Sequence, residues 1–446
     1  MGSHIIDSYF FSDQYSTKEM RDIFNDENMI QKWLDVEAAL AEAEAELGII
    51  PNEAGEEIRK KAKVGLIDFG EIKNNLEQNG HPMVSFLRVF KTVCRKDAGE
   101  YVHWGATTQD IIDTGMILQV KEAYSEITAK MFELDELVLG SAKKYKKLVM
   151  AGRTHGQHAL PITLGFKFAV WASEISRSCE RLTECSKRLF IGQFSGAVGT
   201  IASLGKEGIM VQELMMKKLD LGIPKITWHT SRDCIAEFIS VLGIITSTIG
   251  KMANEIVNMQ KTEYSELEEP FFMGKIGSST MPHKRNPMMC ENIVALSKIV
   301  RSNVPLAIEV MICEHERDMR SWQTEWEFVG KVCCMTDAAL KMMITVVKGL
   351  IVYPENIKRN LYLLKGLMLS EAIMMKLGNR IGRQAAHEIV YKICMDAFNH
   401  DIQISEALME NSMISSNFSK AEIDLLLNPN NYIGLAEDFV DRVAKT

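Results

Sequence analysis

The amino-acid sequence predicts an all-α protein built around a bundle of long helices. Proline, which costs about 3 kcal/mol inside a helix, is absent from residues 83–160, 162–223 and 306–353. From residue 235 to 259, apolar residues recur at alternating steps of three and four, which is the spacing of one buried helix face. Segments of alternating apolar and polar residues, which would indicate β-strands, are scarce. The middle of the chain is therefore expected to form a helical bundle.

The chain has 446 residues, more than one compact core normally organises, so several domains are expected. Shorter amphipathic segments, such as 26–47, predict an N-terminal helical domain over residues 1–109. The central long-helix bundle is predicted to span residues 110–350. Shorter helical segments beyond Pro354 predict a C-terminal helical domain over residues 351–446.

Composition and charge argue against several classes of function. The net charge is −8 and no cluster of Lys and Arg stands out, so neither a nucleic acid nor a membrane is expected as a partner. No uninterrupted apolar run reaches the roughly 18 residues that span a bilayer, and the start lacks the features of a signal peptide. The nine cysteines form no CxxC pair, which is typical of reduced thiols. A cytoplasmic protein is expected, and a few local cations could still bind a small anionic substrate.

One segment, residues 274–287, breaks the helical pattern. It contains two glycines, two prolines and two adjacent serines, followed by His, Lys, Arg and Asn. These polar side chains are suited to binding carboxylates and stabilising an anion. A plain surface loop is the alternative, but loops this long inside a compact domain are usually functional. The segment is therefore the first candidate for a functional site.

Within this segment, residues 277–287 (GSSTMPHKRNP) resemble the signature loop of the fumarase/aspartase superfamily. That superfamily includes fumarase, aspartase, argininosuccinate lyase, adenylosuccinate lyase and carboxymuconate cycloisomerase. Residues 103–110 (HWGATTQD) and 152–158 (GRTHGQH) resemble its two other characteristic regions, in the same order. The resemblance extends over essentially the whole chain. It implies an anti β-elimination in which a base removes a proton next to a carboxylate and a dianionic intermediate must be stabilised.

The resemblance also implies roles for individual residues. Ser278 is implied as the base, in surroundings that stabilise its alkoxide. Lys284 and Asn286 are implied to bind the substrate carboxylate, and the hydroxyls of Thr107 and Thr108 to bind carboxylate oxygens. Three more residues are placed in the substrate site by the same resemblance: Ser279, Arg317 and Arg232.

Histidines complete the implied site. His155 matches the histidine that helps to protonate the leaving group in adenylosuccinate and argininosuccinate lyases. Glu291 matches the carboxylate that orients this histidine, and His81 matches the second active-site histidine of adenylosuccinate lyase. For His103, lining the site and packing the core are equally open interpretations.

The sequence indicates neither a metal nor a nucleotide cofactor. It contains no HExxH motif, no spaced Cys/His ligand set, no P-loop and no Rossmann glycine fingerprint. The resemblance implies a small dicarboxylate-type substrate. It also implies a homotetramer whose central helices form one core and whose active sites are shared, each drawing its three motif regions from three chains.

The substrate is less clear, because different segments favour different members of the superfamily. Adenylosuccinate lyases carry a Ser-Ser-x-Glu-Arg segment that binds the nucleotide phosphate, whereas residues 322–326 read Trp-Gln-Thr-Glu-Trp, as in cycloisomerases. Bacterial cycloisomerases, however, usually lack histidines at the positions of His155 and His81. The favoured function is adenylosuccinate-lyase-like cleavage of a C–N bond with release of fumarate, and a non-nucleotide N-succinyl substrate stays open. The alternatives are a carboxymuconate cycloisomerase-type enzyme and a non-catalytic structural homologue.

Overall fold

The structure is a computed structural model that describes residues 3–272, 274 and 276–445. Residues 3–107 contribute six α-helices: α1 Ser12–Tyr15, α2 Lys18–Ile23, α3 Asp26–Glu46, α4 Asn52–Lys61, α5 Phe69–Asn79 and α6 Pro82–Val93. The middle of the chain contributes α7 Thr108–Lys144, α8 Leu164–Leu189, α9 Glu207–Lys218, α10 Asp233–Gln260, α11 Met288–Glu309 and α12 Met319–Gly349. The remainder contributes α13 Pro354–Leu361, α14 Ser370–Ile381, α15 Arg383–Asn399, α16 Ile404–Glu410, α17 Ser412–Asn417, α18 Lys420–Leu426 and α19 Ala436–Val443.

The prediction of an all-α protein is confirmed, and the described part of the chain adds two small antiparallel sheets. Strands β1 (Val149–Thr154) and β2 (Gln157–Thr163) form a hairpin, and β3 (Leu267–Glu268) pairs with β4 (Ile351–Val352). The sequence analysis did not predict this hairpin.

The chain divides into two compact units, each assembled from three segments. Unit 1 comprises residues 1–131, 178–249 and 295–341, and unit 2 comprises the segments 132–177, 250–294 and 342–446. Five of the long helices, α7, α8, α10, α11 and α12, contribute residues to both units. The three-domain division drawn from the sequence stays a prediction.

In unit 1, helix α3 packs against α4 and α9. The side chain of Asn25 caps the start of α3 by accepting a hydrogen bond from the backbone N–H of Asn28. A Cβ atom at Gly55 of α4 would lie only 2.7 Å from the Cβ of Ala45, so glycine allows the two helices to approach closely. This packing holds α3, which carries two buried carboxylates described below.

The apolar stripe predicted from residue 235 to 259 is confirmed as a buried helix face on α10. Its members are all at most 2% exposed: Phe238, Leu242, Ile245, Ile249, Met252, Ile256 and Met259. In unit 2, a separate apolar cluster joins the C-terminal helices, with Ile373, Leu377, Ile404 and Ile423 among its fully buried members.

Helix α10 is long and apolar enough, by length and composition alone, to cross a membrane. The sequence contains no uninterrupted apolar run of this length, because Ser, Thr and Gly lie among the apolar residues of α10. The mean hydropathy of the helix is nevertheless as high as that of a membrane-spanning segment. Of its most apolar stretch, 61% is already buried inside the protein. A core helix passes the same test, so the feature is weak evidence for a membrane span.

Candidate active site

The signature loop connects β3 to the start of α11 in unit 2. The amide of Asn286 donates a hydrogen bond of 2.7 Å to the carbonyl of Gly277 and ties one end of the loop to the other. A Cβ atom at Gly277 would lie 2.3 Å from the carbonyl oxygen of Lys284, so only glycine fits at this crossing. Asn286 therefore shapes the loop in this chain, in addition to its implied contact with substrate.

Ser278 is half-buried within this closed loop. Its Oγ accepts backbone N–H hydrogen bonds from Met281 at 3.1 Å and from Thr280 at 3.4 Å. Backbone donors that converge on one oxygen stabilise negative charge there. Ser279 and Lys284 are exposed on the same loop. The loop thus brings together four of the implied site residues.

Aromatic and charged groups anchor the base of the loop. The guanidinium of Arg285 lies 4.1 Å from the ring centre of Phe271 and 3.3 Å from the carboxylate of Glu268. The hydroxyl of Tyr353 donates to the same carboxylate, and this hydrogen bond, with burial, raises the pKa of Tyr353. Glu269 caps α11 by accepting from backbone N–H groups in its first turn. The ends of the signature loop are therefore firmly held.

His155 lies at the exposed tip of the β1–β2 hairpin. His155 (φ 54°) and Gly156 (φ 77°) form the two-residue turn, both in the left-handed region, as a type I′ turn requires. Histidine tolerates this region better than most residues. The turn thus leaves the side chain of His155 exposed to solvent.

The hairpin is fixed by a buried ion pair. Arg153 donates to both oxygens of Glu266, at 2.9 and 2.6 Å, and Glu266 is fully buried. Asn360 donates to the same carboxylate at 2.9 Å. Burial, and then the charge of Arg153, lower the pKa of the nearby His158. Arg153 therefore holds the strand that carries His155.

Glu291, implied to orient His155, is exposed in the first turn of α11. Among residues 3–272, 274 and 276–445, the two side chains share no hydrogen bond or ion pair within one chain. The implied pairing thus stays a prediction.

The second group of implied residues lies in unit 1, at the start of α7. The Nη1 atom of Arg317 donates to the hydroxyl of Thr107 at 3.1 Å, and its Nη2 donates to the carbonyl of Ala197 at 2.9 Å. Thr108 is the first residue of α7, and both threonines are half-buried. Arg317 thus contacts Thr107 next to the start of α7, and the binding of substrate by Arg317 and the two threonines stays a prediction.

His81 lies on the surface of unit 1, where it caps α6. Its Nδ1 accepts a hydrogen bond from the backbone N–H of Val84 at 3.3 Å, and its own backbone N–H donates to Asn79. Because Nδ1 is the acceptor, the neutral ring carries its proton on Nε2, which is the atom left for a ligand.

Arg232 is a correction to the implied substrate site. The residue is 2% exposed, and all three of its side-chain nitrogens donate to the buried carboxylates of Asp113 and Glu325. The indole N–H of Trp322 donates to Asp113 at 2.8 Å, and Trp322 packs edge-on against Trp326 at 4.9 Å between ring centres. With its donors occupied by buried acids, Arg232 is placed to hold the core of unit 1 together and not to bind substrate.

Comparison with known proteins decides the family. A family model described as lyase matches residues 13–301, and a second model, described as adenylosuccinate lyase C-terminus, matches residues 366–443. The chain belongs to the fumarase/aspartase superfamily. Within that superfamily it falls in the adenylosuccinate lyase branch.

Two known relatives are equally similar to this lyase but differ in activity. N-acetyl-S-(2-succino)cysteine lyase from Enterococcus italicus is 43% identical and matches 99% of this chain and 97% of its own length. Adenylosuccinate lyase from Methanocaldococcus jannaschii is also 43% identical, over 97% of this chain and 94% of its own. A 3-carboxy-cis,cis-muconate lactonizing enzyme from Pseudomonas putida has a similar structure, with a TM-score of 0.92 and 34% identity over 98% of each chain. These relatives belong to one superfamily, but their names differ in the group that leaves the substrate.

The sequence analysis missed two buried carboxylates of this lyase that contact its first motif, residues 103–110. Asp110 accepts hydrogen bonds from the backbone N–H groups of Thr107, Ser195 and Gly196, at 2.9 to 3.0 Å, and contacts His229 Nε2 at 2.9 Å. Asp110 thus ties the glycine-containing loop at residues 195–200 to the first motif. Its place three residues after Thr107, where an acidic residue completes a capping box, was the available signal.

The second missed carboxylate is Glu37 of α3. It is 1% exposed, its Oε2 accepts from the backbone N–H of His103 at 3.0 Å, and its Oε1 lies 2.6 Å from the Nδ1 of that ring. Glu37 and His103 are 66 residues apart, so no local pattern links them.

Glu44, seven residues further along α3, is expected to make the stability of the lyase depend on pH. It is fully buried, and burial, with the charge of Glu37, raises its pKa from the ordinary 4.5 to about 9. Between these two values the folded chain holds a proton that the unfolded chain has lost, so stability falls as pH rises, by about 1.4 kcal/mol per pH unit.

Glu44→Met removes this titration. We expect it to raise the unfolding free energy by about 3–5 kcal/mol at pH 8.5 and to change it by less than about 1 kcal/mol at pH 5. Thermal unfolding at the two pH values measures the difference. The control is Glu46→Met, which removes an exposed carboxylate from the same helix. Equal shifts of Glu44→Met at both pH values would show that Glu44 does not titrate in this range.

Proposed function

We propose that this lyase releases fumarate from a small succinyl compound without a phosphate group, foremost a succino-thioether of the N-acetyl-S-(2-succino)cysteine type. The observation that carries the proposal is the tryptophan pair, Trp322 and Trp326. It occupies the segment whose serine and arginine bind the nucleotide phosphate in adenylosuccinate lyases.

The charges around this segment support the proposal. Asp113 alone balances the charge of Arg232, and Glu325 is a second buried acid beside it. Burial raises the pKa of Glu325 and outweighs the lowering by Arg232. The cluster therefore offers no surplus positive charge to a phosphate dianion, and Trp326, 43% exposed, offers an apolar surface in place of an arginine.

In the proposed reaction, Ser278 removes the proton from the carbon next to one substrate carboxylate. Lys284 and Asn286, with Thr107 and Thr108, stabilise the charge that collects on that carboxylate. The electron pair of the broken C–H bond then forms the C=C bond of fumarate. The C–S or C–N bond breaks, and the leaving atom takes its electron pair and a proton from His155.

We further propose that the active enzyme is a homotetramer with shared sites. In such a tetramer a pairing of His155 with Glu291 would be made between subunits, since the described part of a single chain contains no hydrogen bond or ion pair between them. The substrate site would combine motif regions from different copies of the chain.

A substrate panel tests the proposed function. Fumarate absorbance is followed after mixing the enzyme with N-acetyl-S-(2-succino)cysteine, a simple N-succinyl amine, argininosuccinate and adenylosuccinate. We expect kcat/KM for the thioether to exceed that for adenylosuccinate by at least about 100-fold. A matched variant, Trp326→Arg, should narrow the gap by returning a cation to the segment. A preference for adenylosuccinate would overturn the proposal, and silence of the whole panel would favour a non-catalytic protein.

The second candidate is adenylosuccinate cleavage itself. It is favoured by the retained His155 and His81, because nitrogen is a poorer leaving group than a thiolate and needs an acid. It is also favoured by the similarity to the Methanocaldococcus jannaschii enzyme. The substrate panel separates the two candidates directly.

The role of His155 can be tested with leaving groups of graded quality. We expect His155→Gln to lower kcat/KM strongly for 2-(alkylthio)succinates and much less for 2-(nitrophenylthio)succinate, because a good leaving group departs without a proton. The dependence of log(kcat/KM) on the pKa of the leaving thiol should therefore become steeper. An equal loss across the series would show that His155 is not the acid.

A further inference from the structure

We propose that Glu37 is a positioning residue that presents His103 to the substrate carboxylate with Nε2 as the donor. This inference rests on the proposed function, because it adds a cationic donor to the carboxylate-binding region that contains Thr107 and Thr108.

The first argument is the two-point contact. Glu37 uses one oxygen for the backbone N–H of His103, at 3.0 Å, and the other for the ring Nδ1, at 2.6 Å. His103 has φ 65°, a conformation that is costly for a non-glycine residue unless the surroundings hold it. The backbone bond stabilises this conformation and the ring bond fixes the orientation of the imidazole. One buried carboxylate thus sets both the position and the rotation of the ring.

The second argument is electrostatic. Burial of His103 opposes a charge on its ring, but the charge and hydrogen bond of Glu37, with a smaller contribution from Asp110, outweigh it and raise the pKa of His103. The charged groups around it are thus Glu37 on α3 and Asp110 on α7. Glu44, beyond Glu37, is uncharged at neutral pH because of its own raised pKa of about 9. Glu37 therefore favours the imidazolium form of His103.

The third argument is direction. Because Nδ1 is engaged by Glu37, Nε2 is the ring atom left to donate outward, and the His103 side chain is 17% exposed. His103 lies in the same motif as Thr107, whose hydroxyl accepts from Arg317 at 3.1 Å. An imidazolium in the same motif as the threonine that contacts Arg317 suits a substrate with two carboxylates.

Kinetics of Glu37→Gln test the proposal. The amide keeps the size of the side chain and an acceptor for the backbone N–H, but it cannot stabilise an imidazolium. We expect KM to rise about 10- to 100-fold, the effect of one charged hydrogen bond, with kcat changed less than about threefold. In Glu37→Gln, KM should begin to rise at a lower pH than in the native enzyme, because His103 without the charge of Glu37 loses its proton at lower pH.

Two controls separate positioning from a merely structural role. Glu44→Met changes the other buried carboxylate of α3, and its KM should match that of the native enzyme. Glu37→Asp keeps the charge and should recover part of the loss. The double variant Glu37→Gln/His103→Gln should be no worse than His103→Gln alone, because Glu37 acts through that ring.

A measurement without substrate distinguishes a failure of this inference from a failure of the proposed function. Ring titration of ¹³C-labelled histidine by NMR, with the His103 signal assigned from His103→Gln, should show a lower pKa for His103 in Glu37→Gln than in the native protein. An unchanged titration of His103 in Glu37→Gln would overturn the role of Glu37. So would a Glu37→Gln variant whose kcat falls as much as its KM rises, with a change in KM that is the same at every pH. If the lower pKa of His103 in Glu37→Gln is observed but the thioether is not the preferred substrate of the panel, only the proposed substrate is contradicted.

Discussion

Replacing Ser278 by alanine is expected to lower kcat by about 10²- to 10⁴-fold, the typical contribution of a general base. The loss should appear in kcat and kcat/KM together, because the hydroxyl is required only when the proton is removed. Its Oγ already accepts hydrogen bonds from the backbone N–H groups of Met281 and Thr280, an environment that favours the alkoxide. Steady-state release of fumarate on the preferred substrate of the panel measures the effect.

The control for this variant is Ser302→Ala, which removes an exposed hydroxyl from α11, the helix that follows the signature loop. It should have native kinetics. Both variants should unfold at the same temperature as the native protein, since Ser278 is only half-buried. Turnover by Ser278→Ala within a few-fold of the native rate would remove this serine from the mechanism.

Replacing Arg232 by methionine is expected to lower the unfolding free energy by about 3–5 kcal/mol. The substitution leaves the carboxylates of Asp113 and Glu325, both fully buried, without their cation. An uncompensated charge in the core is one of the most destabilising changes a single substitution can make. Denaturant unfolding, followed together with the oligomeric state, measures the loss.

Removing the charges together should recover most of this loss. The triple variant Arg232→Met/Asp113→Asn/Glu325→Gln contains no buried charge in this cluster, and the amide oxygen introduced at position 113 would still accept from the indole of Trp322. Arg188→Met is the surface control, since it breaks an exposed ion pair with Glu237 that is expected to contribute at most about 1 kcal/mol. A stable Arg232→Met variant with a raised KM would restore Arg232 to the substrate site and contradict its assignment to the core.

The helical fold could be predicted from the sequence because the residues that pack in the core of a helical bundle recur at a regular spacing along each helix. The stripe from Phe238 to Met259 is readable as a period of 3.6, and the same residues are buried on α10. The β1–β2 hairpin was not predicted. Its turn depends on positive φ at His155, which local sequence does not reveal, and its strand β1 is held by the distant Glu266.

Of the candidate site, only the residues that lie within recognisable sequence motifs could be predicted. The resemblance implied which residues line the site, but neither the bond between Asn286 and Gly277 within the signature loop nor the contact of Arg317 with Thr107 could be predicted from it. Arg232 lies inside a stretch that looks like a functional motif, and only the fold shows that buried acids occupy its nitrogens. Glu37 escaped notice because a single glutamate on an amphipathic helix has no distinguishing pattern, and its partner His103 is distant in sequence.

In the proposed active site, a serine base and a histidine acid come from different copies of the chain. Refolding Ser278→Ala and His155→Gln together in equal amounts tests it most directly, with each variant and the native protein refolded alone as controls. In a randomly mixed oligomer, about one quarter of the sites would contain both native residues. We expect the mixture to recover about one quarter of the native activity, measured as release of fumarate from a 2-(alkylthio)succinate. A mixture no more active than the two separate variants would contradict the shared site.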